Sequence, residues 1–144
     1  MRVGINVSNG RNVFFISDLH LWHKNVIKYD NRPFLDSDGQ PDLEAMHSTI
    51  LKNWNNVVKK TDAVFYLGDL SWKMNPKTKD FVDKLNGEIY YVMGNHDRYE
   101  DIVKLGRFKV VYDLIDLSIY GAHKEPIEFV LTHFPFYSWD KKHH

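Results

Sequence analysis

The sequence predicts an α/β fold: strands and helices in alternation, then an antiparallel extension made of strands alone. Three observations lead there. Apolar runs at 13–16, 63–67 and 89–93 have the length and the β-branched or aromatic content of buried strands. Apolar residues at helical spacing lie between them. After Gly106 only strand-like runs follow, at 109–119 and 127–131.

Taken in order, Val3, Ile5 and Val7 alternate with smaller or polar residues, and Asn9-Gly10 separates them from the run at 13–16. An Asn-Gly pair between two apolar runs predicts a β-hairpin, because both residues accept positive φ. The polar stretch from His20 to Pro41 contains Pro33 and Gly39 and reads as a long loop with room for one short helix. Loops of that length in compact domains are usually functional or mobile. Asp42 stands where it would cap a helix whose Leu43, Met46, Ile50, Trp54 and Val57 form one apolar stripe, with Trp54 in the core. The strand at 63–67 stops at Gly68-Asp69. Asn75-Pro76 starts a helix burying Phe81, Val82 and Leu85. The strand at 89–93 stops at Gly94-Asn95-His96-Asp97, a short helix through Ile102 and Val103 ends at Gly106, and the last strand stops at Thr132-His133.

Composition narrows the function. A chain of 144 residues with 43% apolar content suits a single domain, 1–144, with a core of ordinary size. Nineteen basic residues balance nineteen acidic ones, which argues against bulk nucleic-acid binding and leaves nucleic acid as a substrate only. With no cysteine, disulfides and thiolate metal sites are excluded. A metal would be held by imidazole, carboxylate, amide or water, donors that suit Mn, Fe, Zn or Ni. No apolar run reaches the length of a signal-peptide core or a membrane span, so a cytoplasmic protein without a membrane partner is expected.

One pattern recurs. A short apolar strand ends and metal-ligand residues follow: Asp18-Leu19-His20, Gly68-Asp69, Gly94-Asn95-His96-Asp97 and Thr132-His133. Ligands of open α/β sheets collect beyond the carboxyl ends of strands, and glycines before Asp69 and Asn95 let the backbone turn sharply there. Two divalent ions would bring four positive charges against two from Asp18 and Asp69. Such a site stays positive and favours an anionic phosphate. A carboxylate shared by both ions, the role given to Asp69, would hold them about 3.5–4 Å apart around a bridging hydroxide.

These four motifs, in this order, resemble those of the calcineurin-like metallophosphoesterases, small bacterial and phage members above all. The resemblance covers about residues 12 to 140. It implies an α/β/β/α sandwich of mixed sheets and two divalent ions, manganese favoured. It places Asp18 and His20 on one ion, Asn95 and His133 on the other, and Asp69 between them. It further implies His96 as proton donor to the leaving oxygen, oriented by Asp97, a pairing that agrees with the need to fix an imidazole's tautomer. The family's final G-H-x-H segment, normally one further ligand per ion, is missing from this sequence, and with it the C-terminal strand or strands. His143 and His144 are then vestiges of that segment, part of a tag, or substitute ligands.

Beside this set, His23, Arg32 and Arg98 are candidate substrate-binding residues, an Arg being apt for bidentate contact with phosphate. Trp22 stands where relatives commonly have Gly and would reshape the pocket mouth. His47 and His123 read as incidental. The function expected is hydrolysis of a phosphomonoester, phosphodiester or nucleotide by a metal-bridging hydroxide. The alternative is a non-catalytic or impaired metal- or nucleotide-binding module of the same fold, completed in one version by a second copy in a homo-oligomer.

Overall fold

The computed structural model describes residues 1–138. In chain order the elements are β1 (Arg2–Asn6), β2 (Val13–Ile16), α1 (Val26–Tyr29), α2 (Leu43–Val57), β3 (Ala63–Tyr66), α3 (Pro76–Asp83), β4 (Glu88–Val92), α4 (Tyr99–Lys104), β5 (Val111–Tyr112), β6 (Leu114–Tyr120) and β7 (Ile127–Thr132). They build two sheets, ordered β1-β6-β7 and β2-β3-β4-β5. Every pair in the four-stranded sheet is parallel. In the other, β1 joins β6 in parallel and β6 joins β7 antiparallel.

The layers follow from side chains alternating along each strand. On β3 and β4, Val64, Tyr66, Ile89 and Tyr91 meet Trp54, Val58, Phe81, Val82, Leu85, Ile102 and Leu105 from the helical side. Ala63, Phe65 and Val92 point the other way, against Val3, Ile5, Ile115, Leu117, Ile119 and Leu131 of the three-stranded sheet. Burial on both faces explains why these strands read as continuous apolar runs. The described residues thus supply helices, a parallel sheet and a mixed sheet, the mixed α/β architecture expected. None of their helices is long and apolar enough to cross a membrane.

The helices begin where local chemistry dictates. The Asp42 carboxylate accepts from the Ala45 N–H at 2.9 Å, and Asn75 forms a capping box with Thr78, with Pro76 in the first turn. Each satisfies an otherwise orphaned amide. Met46 and Trp54 are buried as the stripe requires, but Val57 is exposed and Val58 takes the core position. The helix ends there, with Val58 extended.

The expected hairpin does not form. The Asn9-Gly10 turn is present, with Gly10 at φ 79° and its N–H on Val7 O at 3.0 Å. It carries the chain from one sheet to the other, so β1 and β2 never pair. Turn chemistry fixes a reversal, whereas the partner is chosen by burial. Val3 and Ile5 face the inter-sheet core, while Phe14 and Ile16 pack toward the helices. The strand expected over 109–119 is split into β5 and β6, which belong to different sheets.

Candidate metal centre

The parallel sheet delivers three of the four motifs to one edge, and β7 brings the fourth from the other sheet. Beyond β2 the chain runs beside residues 68–72. Asp18 N–H donates to Gly68 O, His20 N–H to Asp69 O, Leu21 N–H to Leu70 O and Trp72 N–H to Leu21 O, at 2.9–3.1 Å. Asp18, His20, Trp22 and Asp69 all adopt positive φ, between 48° and 65°. Such left-handed geometry is uncommon for residues with a Cβ and persists only where surroundings over-determine it. Here the backbone zipper does so, and it turns Asp18 and His20 toward Asp69.

Asp69 is the centre. Its residue is only 3% exposed, yet its Oδ2 lies 3.7 Å from His20 Nε2 and 3.9 Å from both His96 Nε2 and His133 Nε2. Its Oδ1 accepts from the His96 N–H at 3.0 Å. Ligand atoms of Asp18, His20 and Asp69 lie within 4.8 Å of one another. Both glycines before the ligands are needed for room. A Cβ on Gly94 would land on the Asp69 carboxylate, and one on Gly68, at φ 94°, would sit 2.7 Å from His133 Nδ1.

The donors present fit divalent cations. His133 Nδ1 is 2.7 Å from Leu67 O, so it carries the proton and leaves a lone pair on Nε2. That nitrogen faces Asn95 Oδ1, another acceptor, at 2.9 Å. An imidazole nitrogen and an amide oxygen are both donor types that divalent cations accept. Among the described residues, neither Asp18 nor Asp69 pairs with a lysine or arginine; their charged-group neighbours are imidazoles. A buried carboxylate without a cationic partner is costly, and a metal ion between Asp18, His20 and Asp69 would remove that cost.

Asp97 does not orient His96. Its carboxylate accepts four hydrogen bonds from elsewhere: Asp69 N–H at 2.9 Å, Gly94 N–H at 2.8 Å, Tyr91 O–H at 2.8 Å and Leu70 N–H at 3.2 Å. The turn after β4 brings it over the backbone of 69–70, where the Asp69 amide would otherwise be buried and unpaired. Tyr66 and Tyr91 complete this floor, stacked 5.1 Å apart at 7°. Tyr66 O–H takes the Leu19 N–H at 3.0 Å and Tyr91 O–H takes the Leu70 N–H at 3.2 Å. Burial pushes both phenols well above their ordinary pKa, so both stay protonated donors. In the sequence these tyrosines show only as strand residues, in the runs at 63–67 and 89–93.

The expected substrate contacts fare unevenly. Arg32 is spent on the back of the motif loop: Nη1 donates to Leu19 O at 2.8 Å and to Met46 Sδ at 3.6 Å, and Nη2 to Asp18 O at 3.0 Å, while Nε and Nη2 donate to Asp30. It holds the backbone of Asp18 and Leu19 and has no free fork for phosphate. Arg98 points to solvent, its side chain 79% exposed, with Asp101 at 3.9 Å. His23 does border the centre, its ring 6.0 Å from that of His20, while its Nδ1 accepts from the Val26 N–H at 2.8 Å. Burial, and next the His20 imidazole, lower its pKa. His47 is not incidental: buried, it accepts the Trp22 N–H on Nε2 at 3.1 Å and so fixes the strained Trp22. Trp22 donates its indole N–H to Thr78 Oγ1 at 2.9 Å and packs, half-buried, against the helix-side core. His143 and His144 lie outside the described residues.

Comparisons agree with this geometry. The family model described as calcineurin-like phosphoesterase matches residues 11–144. The uncharacterized protein MJ1445 of Methanocaldococcus jannaschii is 39% identical over 127 residues, covering 87% of this chain and 60% of that protein. The gene 66 protein of Mycobacterium phage L5 is 30% identical over 142 residues, covering 87% of this chain and 64% of its own length. A crystal structure of the Aquifex aeolicus protein of unknown function AQ665 superposes with a TM-score of 0.64 at 28% identity, over 85% of this chain and 60% of that one. The chain therefore spans under two thirds of the length of these relatives. The family suggests metal-dependent phosphoester hydrolysis, and the Asp18-His20-Asp69 cluster suits divalent ions. With metal-binding residue types at four strand ends, one parallel and one mixed sheet, and the family match in accord, this chain belongs to the calcineurin-like phosphoesterases.

Proposed function

We propose that the chain hydrolyses a phosphoester, whether a phosphomonoester, a phosphodiester or a nucleotide, at a centre for two divalent cations, manganese favoured over Fe, Zn or Ni, in a cytoplasmic setting. Asp18, His20 and Asp69 would hold one ion, and Asp69, Asn95 and His133 the other. Bound ions would neutralise phosphate oxygens and make water a nucleophile at neutral pH. The chain's own residues do the rest. Asp69 and Asn95 are held by the turn around Asp97. His96 has a side chain 40% exposed while its Nε2 stays 3.9 Å from Asp69 Oδ2. It can therefore take a proton from solvent and deliver it to a leaving oxygen on the open side.

The observation that carries this reading is the buried Asp69 carboxylate among three imidazoles, with no lysine or arginine on it among the described residues. The test is metal-stripped protein titrated with Mn while metal content and hydrolysis of an aryl phosphodiester and monoester are followed. Two ions per chain and metal-dependent turnover are expected. Asp69→Ala should lose both ions, and His96→Ala should keep them and turn over about 10²-fold more slowly. No hydrolysis above the metal-free blank under any divalent ion would leave only a binding module.

A further inference from the structure

Trp72 has no place in the metal centre or the core, yet it is tightly placed. Its N–H donates to Leu21 O at 3.1 Å, beside the isolated bridge between Leu21 and Ser71. The next residue's carbonyl accepts from Ser71 Oγ at 3.0 Å. The indole remains 45% exposed. Its ring centroid lies 5.2 Å from that of His96 and 4.3 Å from that of His23. Tyr29, 73% exposed, continues the aromatic surface 6.2 Å beyond His23. Single exposed aromatics are ordinary. This one is pinned by backbone bonds against an imidazole of the centre and extended by a second exposed ring.

We propose that Trp72, with Tyr29 beyond it, is a stacking subsite for the leaving group, and that the substrate is a nucleoside phosphoester. The proposal rests on the phosphoesterase reading, in which His96 serves the leaving oxygen. Whatever that oxygen carries must lie next to His96, and among the described residues Trp72 is an exposed ring there. A flat π-face accepts any base by stacking with little sequence preference, and the His23 ring packs against the indole at 79°, not parallel to it. For a nucleoside 5′-phosphate, the water oxygen forms the new bond to phosphorus and the bond from phosphorus to O5′ breaks. His96 protonates O5′, and the proton of the attacking water leaves to solvent.

The test uses two esters with the same primary ribose leaving oxygen, adenosine 5′-phosphate and ribose 5-phosphate, each also as its O-methyl diester, with release of the 5′-alcohol read on the metal-loaded enzyme. The adenosine ester should have a kcat/KM at least about 10-fold higher. Trp72→Ala should erase most of that ratio while changing the ribose ester less than about 2-fold, and Trp72→Phe should restore it. Adenosine should also quench indole fluorescence in the wild type and not in Trp72→Phe, a readout independent of turnover. A ratio near one, or an equal fall on both esters in Trp72→Ala, overturns the subsite and leaves the hydrolase standing. So does an enzyme that cleaves an aryl phosphate but releases no adenosine. Failure on every ester with every divalent ion removes the hydrolase reading and the subsite with it.

Discussion

The Asp97 carboxylate holds the peptide N–H of Asp69 at 2.9 Å, so the residue following His96 positions the central ligand and not the imidazole beside it. The same oxygen takes the N–H of Gly94, which ties the turn after β3 to the turn after β4. One side chain thereby keeps Asp69 and Asn95 at a common centre.

Replacing Asp97 with asparagine sets an amide N–H₂ against at least one of the donors it now satisfies. Leaving a buried donor unpaired costs about 1–3 kcal/mol, so Tm should fall by several degrees. Metal affinity should fall as well, because Asp69 loses its anchor. If Asp97 acted only on His96, Asp97→Asn would instead keep full metal affinity and Tm and lose turnover alone. Calorimetric metal titration and thermal melts on the same samples decide between these outcomes.

What the sequence made legible was local or ordered along the chain. Asp42 and Asn75-Pro76 announced their helices because a cap is decided within four residues. The proximity of Asp18, Asp69 and Asn95 was legible because each follows the end of an apolar strand and parallel strands put such ends on one edge, whereas His133 arrives from the other sheet. Partner choice was not legible. Asn9-Gly10 turns as expected, yet β1 joins β6, more than a hundred residues away. Arg32 looked like a substrate contact because the carbonyls of Asp18 and Leu19 that capture it are set by the strained loop, which no residue pattern displays. His47 is one position from Met46 on α2, and only its burial against Trp22 gives it a task.

Arg32 should behave as a positioning residue. Arg32→Ala strips the partners from two carbonyls of the ligand loop, and hydrogen bonds from a charged group are worth about 1.5–3 kcal/mol. The expected result is metal affinity lowered about 10-fold or more, with KM for a phosphoester within about 2-fold once metal is saturating. Arg32→Lys should rescue little, since an ammonium cannot reproduce the fork that reaches Leu19 O, Asp18 O and Asp30 together. A KM that rises steeply at saturating metal would return Arg32 to the phosphate.

His47 makes stability depend on pH. Burial lowers its pKa below the ordinary 6.5, and Nε2 must stay unprotonated to accept the Trp22 N–H. The unfolded chain therefore binds this proton more readily than the folded one. The contribution is complete above the unfolded value of about 6.5 and is lost as pH falls through the lower folded value. In His47→Gln the amide oxygen can still accept from Trp22, and nothing titrates. Thermal melts of metal-free protein from pH 7.5 to 5 should show Tm falling more steeply in the wild type than in His47→Gln. The two should agree most closely at the alkaline end. Parallel slopes would mean that His47 carries no part of the acid sensitivity, leaving His23, whose pKa is lowered as well, as the next histidine to replace among the described residues.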